Sequence, residues 1–196
     1  LALPPLLQTA ALAFGKLLPD ASQSNAQLLA FIDERALGYL QGRGYSAQEA
    51  EAVLAARPPW RDLPKALDAL RAFAALPEAA ALAAANKRIG NILKKAGDAQ
   101  QVVDPHVSEM LLCEPAEKDL YAVMLRVLPQ ADAQFETGDY TASLQTLASL
   151  RAPVDAFFDG VMVNAEAIDL RLNRQGLLKR LHLAMNRVAD LARLAA

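Results

Sequence analysis

Prolines and capping residues cut this chain into segments of helical length, and that punctuation limits the fold more than any other feature. Ser46-Ala-Gln-Glu49 is a capping-box pattern, in which a hydroxyl and a carboxylate satisfy free backbone amides reciprocally. It starts a helix to about Ala56. Arg57-Pro58-Pro59-Trp60 then breaks that helix, because proline clashes with the preceding turn and lacks an amide proton. Asp62 caps the next helix, to about Ala75. Pro77, at a first-turn position where its missing proton is harmless, opens a helix through Lys95 that Gly97 ends. Pro115 opens another to about Phe135, Asp139 one to Leu150, and Pro153 one more. Upstream, Pro4 to Leu18 is apolar on several sides and reads as a buried helix. Asn25 to Gln41 ends at Gly42 and Gly44, which suit a C-terminal cap. Residues 98–114 read as irregular with one short helical turn, and after Glu166 a final helix runs to the C-terminus. The total is about ten helices and no convincing strand.

Composition agrees. Of 196 residues, 54% are apolar but only 6% aromatic, so the core is built of Ala, Leu and Val. Ala and Leu are strong helix formers, and the class expected is all-α. The length allows one or two domains. A soft boundary falls between residues 76 and 80, giving a helical connector over 1–78 and a helical bundle over 79–196. Phe135-Glu-Thr-Gly-Asp-Tyr140 looks like half of a tetratricopeptide unit, but a true array needs several copies at a period of about 34 residues, and no second copy is present. A helix hairpin with a glycine turn is the better reading. The single cysteine, Cys113, forms no internal disulfide or zinc set and reads as a small buried hydrophobe in a reducing cytosol. No apolar stretch reaches the roughly 20 residues that span a bilayer. The opening Leu-Ala-Leu-Pro-Pro is no signal peptide and reads as cut from a longer protein.

The net charge of -2 argues against nucleic acid, yet the charge is polarised. Residues 81–95 hold Lys87, Arg88, Lys94 and Lys95 and no acid, whereas residues 96–165 hold eleven acids and three bases. No acid lies between Arg171 and Arg187. A local positive face matters more than the sum. On the helix from Pro77, Leu82, Ala85, Ile89, Ile92, Leu93 and Ala96 follow core spacing. Lys87, Asn91, Lys94 and Lys95 fall opposite, with Arg88 beside them. Such a face binds phosphate and hydrogen-bonds a base. Lys94 and Lys95 equally suit the negative end of the helix dipole, and mid-helix Asn86 suits a bond to neighbouring backbone. On the last helix Leu170, Leu177, Leu178, Leu181, Met185, Val188 and Leu191 form the buried stripe. Arg171, Asn173, Arg174, Lys179, Arg180 and Arg187 take the remaining faces.

Catalytic candidates are absent. His106 and His182 lie far apart and neither precedes an Asp. There is no Gly-rich phosphate loop. Asp155 and Asp159, with Glu166, make too thin a metal set and read better as ion-pair partners of Arg151, Arg171 or Arg174. Of the adjacent Phe157 and Phe158, about 100° apart on a helix, at most one can stack on a base, and both suit the core.

Two segments carry a family resemblance. One is Arg151-Ala-Pro-Val-Asp-Ala-Phe-Phe-Asp-Gly-Val-Met-Val163; the other is Ala84-Ala-Asn-Lys-Arg-Ile-Gly-Asn-Ile-Leu-Lys-Lys-Ala96. Their order and separation resemble the C-terminal region of the β subunit of tetrameric bacterial glycyl-tRNA synthetase. Departures are Asn164, where the family usually has a second Met, and Ala167-Ile168-Asp169 in place of a more acidic run. The resemblance implies a DALR-type anticodon-binding bundle that recognises tRNA(Gly). ATP, glycine and acyl transfer then belong to the α subunit, so no cofactor is expected in this chain, which alone neither activates glycine nor aminoacylates tRNA. The implied partners are tRNA(Gly), the α subunit and the rest of the β subunit, in the cytoplasm, with no membrane. The RNA-facing candidates rest on charge and helix geometry: Lys87, Arg88, Asn91, Lys94, Lys95, Arg171, Arg174 and Arg180. No catalytic or metal residue is assigned. The competing reading is a helical protein–protein scaffold without RNA contact, and salt-dependent tRNA binding separates the two.

Overall fold

A computed structural model describes residues 3–17 and 21–195. Among them lie nine α-helices and no strand: α1 Leu3–Phe14, α2 Ala21–Gly42, α3 Ala47–Ala56, α4 Leu63–Ala74, α5 Ala79–Asp98, α6 Pro115–Glu136, α7 Tyr140–Ala148, α8 Arg151–Gly160 and α9 Ile168–Met185. The all-α expectation holds.

The local signals act as chemistry requires. Ser46 Oγ accepts the Glu49 amide at 3.1 Å and Glu49 Oε2 accepts the Ser46 amide at 2.7 Å, closing the capping box of α3. Arg71 also grips Glu49, donating from Nε at 2.6 Å. The adjacent guanidinium pulls the Glu49 carboxyl down to about 2. Asp139 Oδ1 accepts the Ala142 amide at 3.0 Å to start α7. Gly138, at φ 81°, makes the reversal from α6 that a side chain would strain. The helix hairpin with a glycine turn is therefore present, its two helices packed together.

Other boundaries differ from the sequence reading. Asp62 stands at the N-cap of α4 without a side-chain capping bond, and Pro64 in the first turn does the starting. Pro77 lies in the turn before α5, not inside it. Gly97 stays helical, and α5 ends just beyond it, where Gln100 adopts φ 57°. The last helix stops at Met185, and a 3-10 turn over Leu191–Leu194 follows. Leu18 lies outside the described residues. The helix before it is not buried: Leu6, Leu12 and Phe14 are exposed, and the helix that α1 mainly packs on is α2. Cys113 is exposed too, against its apolar reading.

One apolar core joins Leu40, Val53, Leu67 and Phe73 to Leu82, Ile89, Leu120, Met124, Leu144, Phe157 and Leu177. The expected 78/79 boundary lies in the turn between α4 and α5, and helices on both sides of it feed this core, α4 packing on α7 and α3 on the C-terminal turn. Helix α9 threads the centre. Every residue from Asn173 to Leu178 is buried, so its middle has no solvent face and its polar side chains need internal partners.

Candidate nucleic-acid interface

Helix α5 presents a stripe to solvent. Ala84, Lys87, Arg88, Asn91 and Lys95 are exposed and recur at the three- and four-residue steps that keep side chains on one helix face, with half-buried Ile92 and buried Ala96 along its edge. That stripe forms one wall of an open groove of about 520 Å³. The other wall is Arg171 and Gln175, one turn apart on α9, with Asn164 from the preceding loop and Gln101 at one end. Four cations meet several neutral amides here, and no carboxylate lines the groove.

Each cation has its own setting. Lys87 and Lys95 are exposed on the rim. Arg88 lies over the Phe158 ring at 4.2 Å, a cation–π contact that fixes its guanidinium beside the groove. Phe157 next to it is fully buried, so the paired aromatic splits into one core ring and one half-buried platform occupied by Arg88. Arg171 is half-buried and donates to the Ala165 carbonyl at 3.2 Å, which holds the first cation of α9's basic run beside the groove.

Three expected members fall elsewhere. Lys94 is exposed but does not line the groove. Arg180 lines a separate groove with Leu128, Asp132 and Arg187. Arg187 there pairs with Asp132 at 2.6 Å and Glu136 at 2.5 Å, so that groove is of mixed sign. Arg174 is the clearest correction. It is 5% exposed, its Nε pairs with the wholly buried Glu117, and its Nη1 donates to the Met162 carbonyl at 2.9 Å. The same carboxylate accepts the amides of Cys113 and Glu114 at 2.7 and 2.8 Å, so it caps α6 and anchors α9 at once. Arg174 is thus an internal strut, and its partner is neither Asp155, Asp159 nor Glu166. Asp155 does pair with Arg151, at 3.4 Å.

Two further polar residues of α9 are also internal. Asn173 accepts the Ser108 amide at 2.7 Å and donates to the Ser108 carbonyl at 3.1 Å, and Lys179 donates to the Val103 carbonyl at 2.6 Å. Between them lies Gly176, where an added Cβ would meet the Asp104 carbonyl at 2.6 Å. The segment over residues 103–108 is therefore strapped to α9 by its backbone. Asn86 is fully buried and bonds not to neighbouring backbone but across to α9 and the residue after it: it donates to Asn186 Oδ1 at 2.8 Å, and its Oδ1 lies 2.8 Å from His182 Nδ1. The Asn186 amide nitrogen also lies 3.0 Å from His182 Nδ1, so the three side chains form one cluster. Burial pushes the His182 pKa below its ordinary value.

Sequence reasoning missed Gln175, Asn164 and Gln101. Gln175 was within reach, being four residues beyond Arg171 and so on the same helix face. No group of three or more His, Cys, Asp or Glu among the described residues is placed to hold a metal. No helix among them is long and apolar enough to cross a membrane.

An all-helical bundle with an acid-free cationic groove is a form suited to RNA. Residues 82–192 match the DALR anticodon binding domain, and the chain belongs to that family. Over 97% of its length it is 65% identical to the glycine–tRNA ligase beta subunit of Acidovorax sp. (strain JS42). It is 66% identical to that of Polaromonas naphthalenivorans (strain CJ2) and 56% identical to that of Dechloromonas aromatica (strain RCB), over 97% of the chain in each case. The chain spans 26% of each of these curated relatives, about a quarter of their length.

Proposed function

We propose that this chain is the tRNA-recognition module of a glycine–tRNA ligase β subunit, binding the anticodon region of tRNA(Gly) in the groove between α5 and α9. The observation that carries this reading is the groove itself. Lys87, Arg88, Lys95 and Arg171 converge there without a carboxylate, in a chain whose net charge is negative. Phosphates are drawn to such a surface by charge and counterion release. Asn91, Asn164 and Gln175 add the donors and acceptors that base edges need. Adenylate chemistry and ATP belong, in this reading, to the α subunit, and the whole assembly works in the cytoplasm.

The rest of the β subunit and the α subunit are the proposed protein partners. The apolar surface of α1 and α2, with Leu12, Phe14 and Phe31 exposed, supports packing of this kind on helices that do not line the groove. The experiment is filter binding of glycine tRNA against an anticodon-swapped version across a salt series. Preferential, salt-dependent binding of the first is expected. Equal and salt-insensitive binding would leave the protein–protein scaffold.

A further inference from the structure

Three arginines in this fold lie close over aromatic rings. Arg71 is 4.2 Å from the centre of the Tyr45 ring, Arg187 is 3.9 Å from that of Phe135, and Arg88 is 4.2 Å from that of Phe158. In the first two, carboxylates also take the guanidinium N–H groups. Glu49 accepts from Arg71 Nε at 2.6 Å, and Asp132 and Glu136 accept from the terminal nitrogens of Arg187 at 2.6 and 2.5 Å. Arg88 has the ring alone. Among the described residues no acceptor takes a hydrogen bond from it, and the groove it lines holds no acid. Arg43, over Tyr39 at a looser 5.4 Å, also lacks a carboxylate, but it is the single cation of its groove, whereas Arg88 stands with Lys95 and Arg171.

A guanidinium stacks on a ring through its face and holds an anion through its N–H edge, two bonds at a time. The anion that completes this pattern at Arg88 comes from a ligand. In an RNA it is a phosphodiester, whose two unbridged oxygens match the fork. We infer that Arg88 and Phe158 form a seat for one phosphodiester of the bound RNA. Arg88 supplies the fork. Phe158 is a positioning residue that holds the guanidinium in place before RNA arrives, so less side-chain freedom is lost on binding. Lysine would not serve at position 88, because an ammonium neither stacks flat nor forks. The inference rests on the tRNA-binding reading above and adds which cation holds a defined phosphate and what positions it.

The full chain is titrated with the anticodon stem–loop RNA of glycine tRNA, intact and with a neutral methylphosphonate at one loop linkage at a time. At one linkage the wild-type chain should lose roughly tenfold or more in affinity, the weight of hydrogen bonds to a charged group. Arg88→Ala should lose a similar factor on the intact hairpin and nothing further from that neutral linkage. Arg88→Lys should keep the salt slope and still bind more weakly. Phe158→Leu should also keep the slope and lose roughly two- to fivefold, the weight of an exposed cation–π contact. Phe158→Tyr, which keeps the ring face, should bind as wild type does. In the Arg88→Ala background Phe158→Leu should cost nothing more. Each variant is first shown to be folded by its melting curve, and Phe158→Met replaces Phe158→Leu if the latter fails to fold. Equal losses from Phe158→Leu with and without Arg88 overturn the positioning role. If no neutral linkage becomes silent in Arg88→Ala, the phosphate seat is overturned and tRNA binding stands. No hairpin binding by the wild-type chain overturns the tRNA reading itself.

Discussion

Helices α5 and α9 look alike in sequence and behave oppositely in the fold. Both carry a basic run free of acids. On α5 the run faces outward, because Leu82, Ala85, Asn86 and Ile89 take the core side and leave Lys87, Arg88, Asn91 and Lys95 to solvent. On α9 and just beyond it the run is surrounded. Glu117 takes Arg174, the Val103 carbonyl takes Lys179, and Asp132 with Glu136 takes Arg187. From this run only Arg171 joins the α5 groove. An acid-free stretch therefore does not make a free positive face. The acids that neutralise this run come from α6, so its own lack of acids reflects that its partners lie across the fold.

This contrast is sharpest at Arg174. Arg174→Ala would leave Glu117 buried, charged and short of its cation, and breaking such a pair costs about 3–5 kcal/mol. Urea denaturation of the variant should show that loss, whereas an RNA-facing arginine would cost almost nothing. Gly176→Ala comes next. The new methyl meets the carbonyls of Asp104 and His106 at 2.6 and 2.8 Å, both backbone atoms, so the strapped segment must move. Overpacking of this kind costs about 1–3 kcal/mol, readable as a lower midpoint in the same assay.

A smaller effect is expected from pH. His182 is held neutral in the fold by burial, with Asp190 only partly opposing. Its folded pKa lies below the unfolded value of about 6.5. The stability that the neutral ring contributes is whole above that value and drains as pH falls below it, because the unfolded chain takes the proton more readily. Stability should therefore drop as pH falls below about 6.5, and His182→Gln should flatten the drop. Glu49, with its carboxyl lowered from 4.5 to about 2, acts in a separate, more acidic window, its contribution being lost as pH falls between those two values. Least of all should come from Lys87→Ala or Lys95→Ala, surface changes within about ±0.5 kcal/mol of wild type.

What could be read in the sequence followed physical range. The caps of α3 and α7 and the glycine turn at Gly138 involve residues three or four apart, and they form as their local patterns require. The basic stripe of α5 was readable for the same reason, since helical spacing alone puts Lys87, Asn91 and Lys95 on one face. Arg174 was misplaced because Glu117 is 57 residues away. The Glu114-Pro-Ala-Glu117 capping box marked that carboxylate locally but gave no sign of its partner on α9. Gln175 and Asn164 carry no charge, and their place in the groove depends on how α9 and the loop before it dock on α5. Gly176 shows the same limit: within a helix it looks like a weak point, and only the Asp104 and His106 carbonyls beside it explain its size.

We propose that the α5 groove, and not the C-terminal half of α9, meets RNA. It is tested most directly by the salt dependence of glycine tRNA binding for two double variants, Lys87→Ala/Lys95→Ala and Arg180→Ala/Arg187→Ala, each first shown to be folded. The first should bind more weakly and with a shallower slope of log affinity on log salt, by about 0.7–0.9 for each phosphate no longer neutralised. The second should keep the wild-type slope. The reverse pattern, or equal slopes in both, would contradict the account.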